Sequence, residues 1–138
     1  MSRGIRNCNP GNIRHSKVRY DGEVVPSRDD EFKEFESMSY GYRAMFVLLD
    51  SYRRRYGLDT IRKMLNRYAP STENFTESYI RYVVRRTGIR ADERLDTLSA
   101  RDMIPIVAAM SEIENGAKVV MADVYGVSTI EIPPSPSS

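Results

Sequence analysis

Apolar residues recur at the spacing of an α-helix in four stretches of the chain, and each stretch ends at a glycine or a proline. In the first stretch one broad apolar face is made by Ala44, Phe46, Val47, Leu48 and Leu49. Residues that cap helices stand near the expected starts, and residues that cannot continue a helix follow the expected ends. The pattern predicts helices over 39–56, 59–69, 74–87 and 99–115, ended by Gly57, Pro70, Gly88 and Gly116.

Residues 15–36, before the first of these helices, have the pattern of short β-strands. Two brief runs on either side of the Asp21-Gly22 dipeptide predict a hairpin with a tight turn over residues 18–25. A small β lobe is therefore expected beside the helices.

These elements define a mainly helical α+β domain with a small β-hairpin lobe. With 138 residues, the chain is long enough for one hydrophobic core. The domain is predicted over residues 1–126, and its last short helix over 117–125. Residues 127–138 are rich in proline and serine, which predicts a flexible C-terminal tail.

The charge and the hydropathy of the chain argue against a nucleic-acid partner and against insertion into a membrane. The chain has 21 lysines and arginines against 19 acids, a net charge of +2. Nucleic-acid-binding domains usually carry a concentrated basic face, so we expect no nucleic-acid partner. No apolar run approaches the roughly 20 residues that cross a bilayer, so we expect no membrane insertion. The first residues lack the apolar core of a secretory signal peptide, and none is predicted.

The chain has one cysteine, Cys8, and one histidine, His15. One cysteine allows no internal disulfide, and this set of soft ligands is too small for a usual zinc site. We therefore expect no metal and no cofactor. A nucleophilic pair of Cys8 and His15 is the less favoured alternative.

The segment from Arg3 to Arg14 is rich in turn-forming residues. Its two glycines and one proline oppose a long helix or strand. Its asparagines are Asn7, Asn9 and Asn12. Each amide offers two donors and an acceptor, so an ordered loop is predicted. These amides either contact a ligand or cap the backbone of the loop itself.

Glu114 is the acid with the most apolar expected surroundings. Met103, Val107 and Met110 form one stripe of the fourth helix, and a rotation of roughly 100° per residue puts Glu114 within about 20° of Met103. Burial and the negative helix end both raise the pKa of a carboxyl, as general-acid catalysis requires. Glu112 is predicted on the opposite, solvated face. The alternative for Glu114 is an ordinary helix-end residue paired with an arginine. Weaker candidates for the acid are Glu36 and Glu73.

The motifs and their order resemble those of a family of small phage and prophage cell-wall-degrading proteins, which includes lytic proteins carried in virions. The segment from Arg3 to Arg14 matches that family's opening motif, except that Cys8 stands where the family usually has asparagine. Further matches, in chain order, are Phe32 and Phe35, Gly41 to Ala44, Arg67 to Pro70, Glu73-Asn74, Tyr79-Ile80 and Glu114 to Gly116. Tyr20 and Tyr68 replace the family's usual tryptophans.

The resemblance implies a lysozyme-like fold of the lytic-transglycosylase type. In such folds the helix that ends in the catalytic glutamate comes first, and an asparagine-containing segment follows. Here the order is reversed, so with adjacent termini the chain would be a circular permutation of that layout. The asparagine loop would then face Glu114, the catalytic residue, across a cleft. Substrate-binding roles are expected for Asn7, Asn9, Asn12, Tyr68, Asn74 and Tyr79.

The expected function is a peptidoglycan-degrading glycosidase that cleaves the β-1,4 bond between N-acetylmuramic acid and N-acetylglucosamine. No second carboxylate is clearly placed, which favours attack by the muramic acid 6-hydroxyl and an anhydro-sugar product, although a lysozyme outcome stays open. The expected partners are peptidoglycan glycan strands and other virion proteins. From the virion or the host cytoplasm, the protein would act on the wall in the periplasm. The alternatives are an endopeptidase for wall cross-links and a non-catalytic wall-binding or structural virion protein.

Overall fold

Five α-helices and one two-stranded antiparallel sheet make up the described part of the chain. The computed structural model describes residues 1–70, 73–116 and 123–124, with the backbone alone for residues 73 and 74. The elements are α1 (Arg3–Arg6), β1 (Glu23–Val24), β2 (Glu34–Phe35), α2 (Met38–Tyr56), α3 (Ile61–Tyr68), α4 (Glu73–Thr87) and α5 (Ala100–Asn115). The predicted class, mainly helical α+β with a small β lobe, is confirmed.

The long helices begin and end close to their predicted positions because nearby residues encode their caps. Gly57 and Gly116 end α2 and α5 in the left-handed region, with φ of 68° and 61°, where glycine is unstrained. The expected cap of α3, Asp59, is wrong by one residue. Thr60 caps this helix, and its side chain accepts a hydrogen bond from the backbone N–H of Lys63 at 3.1 Å.

The β lobe departs from the predicted hairpin over residues 18–25. β1 pairs with β2, and Glu23 lies opposite Phe35. The expected turn is present, with Gly22 at a φ of 75°, but it leads into β1 from a segment without strand structure. The hairpin prediction is therefore wrong in its pairing.

A buried ammonium explains that departure. Lys33 precedes β2 and is 1% exposed. Its Nζ donates to the backbone carbonyls of Ser16 and Val18, at 3.3 Å and 2.8 Å, and pairs with the carboxylate of Glu23 at 2.9 Å. The side chain thus supplies donors that a neighbouring strand would otherwise provide. A buried charge requires such partners.

The core lies among α2, α3, α4 and α5, with α4 packed along both α3 and α5. The predicted apolar stripe of α5 is confirmed, since Met103, Val107 and Met110 are all buried. No helix in the described ranges is both long and apolar enough to cross a membrane. The helix predicted at 117–125 lies outside the described residues except at 123–124, and the tail predicted at 127–138 lies wholly outside them.

Candidate active site

A cleft of about 530 Å³ opens beside the C-terminal end of α5. The N-terminal loop forms one side, and the end of α3 with the start of α4 forms another. Its walls are largely apolar, with contributions from Phe32, Leu48, Tyr52, Tyr68, Pro70 and Phe75. Glu114 is the one carboxylate among the described residues of the lining.

The carboxyl group of Glu114 is half-buried and held at both oxygens. Its Oε1 accepts a hydrogen bond from Nδ2 of Asn12 at 3.0 Å, and its Oε2 accepts one from the hydroxyl of Tyr79 at 3.1 Å. Burial raises the pKa of Glu114, while the two hydrogen bonds and the charge of Arg14 partly oppose that rise. Glu114 therefore keeps its proton to higher pH than an exposed glutamate does. Once it has lost the proton, Asn12 and Tyr79 stabilise its carboxylate through their hydrogen bonds.

Glu112 has different surroundings from those predicted. Its side chain is 8% exposed, so the expectation of a solvated residue is wrong. It accepts hydrogen bonds from the hydroxyl of Tyr82 at 2.9 Å and from Nε of Arg86 at 3.0 Å. Both partners come from α4, which packs over this side of α5. Glu112 is therefore paired with a cation outside the cleft lining, whereas the hydrogen-bond donors to Glu114 are neutral.

Asn12 joins the N-terminal loop to the end of α5. Besides the carboxyl, its Nδ2 reaches the backbone carbonyl of Glu114 at 3.4 Å. Its backbone has a φ of 49°, a left-handed conformation that asparagine tolerates better than most residues. Within the described residues its Oδ1 is buried without a hydrogen-bond partner. Asn12 is thus the loop asparagine that the structure brings to the candidate acid.

Asn115 is a site residue that the sequence reasoning missed. Its Nδ2 donates to the backbone carbonyl of Pro10 at 2.8 Å, and its Oδ1 accepts from the hydroxyl of Ser2 at 2.7 Å. These contacts fix the turn after Glu114 against the loop. Gly4 allows this approach, since a Cβ there would lie 2.4 Å from Oδ1 of Asn115. The available signal was an amide directly after the candidate acid.

Two tyrosine hydroxyls donate hydrogen bonds at the site, one to the N-terminal loop and one to Glu114. Tyr68 lines the cleft and donates its hydroxyl to the carbonyl of Gly11. Tyr79 is buried behind Glu114 and contacts its carboxyl group. Burial, together with the charge of Glu114, raises the pKa of both hydroxyls well above 10. Both tyrosines are therefore neutral donors over the ordinary range of pH.

Asn7 and Asn9 do not line the cleft. Asn7 is buried and donates to the carboxylate of Asp29 at 3.0 Å. Asn9 is fully buried, and its amide is bonded to the backbone of Ile13 and Lys33. Both side chains support the loop, which is the alternative role for these asparagines. The side chains of Asn74 and Glu73 lie outside the described part, so the structure does not test their predicted roles. Glu36 is exposed and does not line the cleft.

The structure gives the Cys8–His15 pair no support. Nε2 of His15 lies 2.7 Å from the backbone carbonyl of Asp29, and burial raises the pKa of the Cys8 thiol, which disfavours the nucleophilic thiolate. The φ of Cys8 is 51°, a conformation that suits the asparagine of the resembling family. Among the described side chains, no group of three or more histidines, cysteines or acids could hold a metal ion.

Replacing Asn12 by glycine tests whether the Asn12 side chain lowers the pKa of Glu114. Glycine accepts the φ of 49° but lacks the donor to Glu114. Because that donor favours the carboxylate form, its loss should raise the pKa of Glu114 further. We expect a ¹³C NMR titration of the Glu114 carboxyl to move to higher pH in Asn12→Gly. Asn66→Ala, on the exposed face of α3, should leave the titration unchanged. An unchanged midpoint in Asn12→Gly would contradict this role.

Fold and site together define a mainly helical α+β domain with an apolar cleft whose described lining includes one carboxyl group, that of Glu114. No family model matches the sequence. Among curated proteins, the chain is similar to Protein P5 of Pseudoalteromonas phage PM2, with 36% identity over 121 residues. The alignment covers 84% of this chain and 72% of the phage protein. The chain therefore belongs to the same family as this phage protein.

Proposed function

We propose that the protein is a peptidoglycan-degrading glycosidase of the lytic-transglycosylase type, with Glu114 as its general acid. The observation that carries the proposal is the setting of this carboxyl group. It is half-buried in an apolar cleft, its pKa is raised, and both of its oxygens are held by neutral donors. Burial favours the protonated form that a general acid needs, and the two donors stabilise the carboxylate left after the proton is transferred.

The proposed reaction uses one acid in two roles. Glu114 gives its proton to the glycosidic oxygen as the bond from that oxygen to C1 of muramic acid breaks. The 6-hydroxyl of the same sugar then bonds to C1 and returns its proton to Glu114, which leaves a 1,6-anhydro product. Between these steps Asn12 and Tyr79 donate to the carboxylate. Attack by water instead would make the enzyme a lysozyme.

The proposed intramolecular route needs no second carboxylate. Retaining glycosidases place a second carboxyl group about 5–5.5 Å from the acid, and inverting enzymes place it farther away. The described lining residues include one carboxylate, Glu114. The neighbouring Glu112 is paired with Arg86 outside the lining.

The aromatic wall suits a sugar chain, because the C–H faces of pyranose rings pack on aromatic rings. Tyr68 and Phe75 line the cleft, and Tyr52, which also contributes to the lining, is buried. Phe75 is half-exposed and packs edge-on against Tyr79, with the ring centroids 5.9 Å apart. This contact holds an exposed ring beside the residue that contacts Glu114.

The relative is a phage protein, and a phage is the setting in which we propose a wall-lytic role. The contact between Ser2 and Asn115 brings the start of the chain to the end of α5, as the expected circular permutation requires. We propose that the protein acts on the wall in the periplasm, from the virion or from the cytoplasm of the infected host, alongside other virion proteins. Its substrate would be the glycan strand.

Dye-labelled, purified sacculi test this function against its two alternatives. We expect the protein to release soluble dye and to create new glycan ends without new free amino groups. New amino groups with intact strands would identify a peptidase instead. Binding to sacculi without any release would identify a wall-binding or structural protein.

A substitution at Cys8 tests the thiol alternative. Cys8→Asn should keep the rate of dye release within about twofold and should not lower the melting temperature, because asparagine suits the φ of 51°. Cys8→Ala serves as the matched removal of the thiol and should also stay active, at a small cost in stability. A loss of more than about tenfold in both variants would indicate that the thiol takes part in the chemistry.

A further inference from the structure

One wall of the cleft combines a guanidinium group with an aromatic ring. Arg14 and Phe32 both line the cleft, as Glu114 does. The guanidinium carbons of Arg14 and Arg3 lie 5.0 Å and 4.8 Å from the centroid of the Phe32 ring. We call Arg14 and Phe32 the Arg14 wall.

The backbone under the Arg14 wall is well fixed. Arg14 and Phe32 form an antiparallel bridge. The buried amide of Asn9 bonds both the N–H and the carbonyl of Ile13, the residue between Arg14 and Asn12. Arg14 therefore has a defined place two residues beyond Asn12, which contacts the candidate acid.

The guanidinium of Arg14 is open to a ligand. Its side chain is 71% exposed, and its ion pair with the 51%-exposed Glu31, at 3.3 Å, joins two solvated groups. Such exposed pairs contribute little to stability. Glu31 also accepts from Arg3 at 3.2 Å, so it keeps a cationic partner if Arg14 turns away. An incoming carboxylate can therefore replace Glu31 at Arg14.

Resting on the proposed function, we infer that the Arg14 wall is a subsite for a carboxylate on the lactyl branch of muramic acid. That branch leaves the sugar ring at the residue whose bond Glu114 would cleave. It ends either in its own carboxylate or in a peptide that bears carboxylates. Arginine can bind a carboxylate through two parallel hydrogen bonds. The subsite distinguishes wall glycan from unbranched polymers of N-acetylglucosamine.

Binding to three polysaccharides tests this subsite without requiring turnover. Glu114→Gln is used as the parent, and Arg14→Gln is added to it. The ligands are peptide-bearing strands, strands stripped of peptide so that the lactyl carboxylate is free, and chitooligosaccharides that lack the branch. We expect Arg14→Gln to weaken binding to one or both branched ligands about tenfold and to leave chitooligosaccharide binding unchanged. The branched ligand that loses more identifies the carboxylate that is bound.

Matched variants separate recognition from loss of charge or fold. Arg90→Gln removes the same charge from an exposed arginine that does not line the cleft, and it should bind all three ligands as the parent does. Arg14→Lys should recover part of the binding, since it keeps the charge without the fork. Equal weakening for all three ligands, no weakening, or no binding to branched strands would overturn the subsite. If branched strands bind as expected while the wild type cleaves nothing, the subsite stands and the proposed function fails.

Discussion

Glu114→Gln should lower the initial rate of sacculus solubilisation by about 10³-fold or more. Glutamine has nearly the shape of glutamate but no proton to give to the glycosidic oxygen, and general acids typically contribute factors of roughly 10²–10⁴. Its amide oxygen can still accept from Nδ2 of Asn12, and its NH₂ group can donate to the hydroxyl oxygen of Tyr79 once that hydroxyl turns, so binding to sacculi should persist. The measurement is dye release, with binding to sacculi followed in parallel.

Glu112→Gln is the matched control for this result. It makes the same chemical change two residues earlier on α5, at a carboxylate that pairs with Arg86 outside the cleft lining. This variant should keep most of its activity. Comparable losses in the two variants would show a general disturbance of α5, and retention of wild-type rate by Glu114→Gln would remove this residue from the chemistry.

The stability of Glu114→Gln should separate a loss of chemistry from a loss of fold. Because burial raises the pKa of Glu114, the folded protein binds more protons than the unfolded chain between the unfolded value, about 4.3, and the higher folded value. The free energy of unfolding of the wild type therefore falls as the pH rises through this interval. Glutamine does not titrate. The melting temperature of the variant minus that of the wild type should therefore increase as the pH rises from about 4 to about 7.

Gly41→Ala should disrupt the site by displacing the N-terminal loop from α2. A Cβ at Gly41 would lie 2.2 Å from the carbonyl oxygen of Cys8 and 2.5 Å from Cδ of Pro10. Helix propensity alone favours alanine by about 1 kcal/mol, but the clash is with the backbone of the loop that carries Asn12. We expect the free energy of unfolding in urea to fall by about 2–4 kcal/mol, with most activity lost.

A second glycine, at the opposite end of α2, provides the control. Gly57 ends α2 at a φ of 68°, and a Cβ there meets no atom within 4 Å. Gly57→Ala should therefore lower the free energy of unfolding only by the backbone strain, about 1–2 kcal/mol, and keep its activity. If Gly41→Ala proved as stable as the wild type, the close packing of the loop on α2 would be contradicted.

The helices could be predicted because their signals are local. Gly57 and Gly116 end α2 and α5 where expected, and the apolar stripe of α5 is buried as its spacing indicates. The hairpin could not be predicted because Lys33, outside its two runs, binds the carbonyl of Val18 in the first run and that of Ser16 just before it. The prediction that Glu112 is solvated was wrong for a similar reason. Helical periodicity assigns it to the far face of α5, but cannot show that α4 covers that face.

The site depends on contacts between the N-terminal loop and the end of α5. Asn12 and Glu114 are 102 residues apart, and no periodicity links them. Their apposition was expected from the order of motifs in the resembling family, and the structure brings them to hydrogen-bond distance. The same order of motifs gave no specific role to Asn115, because its contacts with Ser2 and Pro10 depend on how the loop packs.

Mass spectrometry of purified sacculi, digested in parallel with wild type and Glu114→Gln, tests the proposed chemistry most directly. We expect the wild type to release muropeptides that end in 1,6-anhydro-muramic acid, and Glu114→Gln to release none. Muropeptides with reducing ends would keep Glu114 as the acid and assign the attack to water. Intact strands with cut peptides, or anhydro products that persist in Glu114→Gln, would contradict a glycosidase in which Glu114 is the acid.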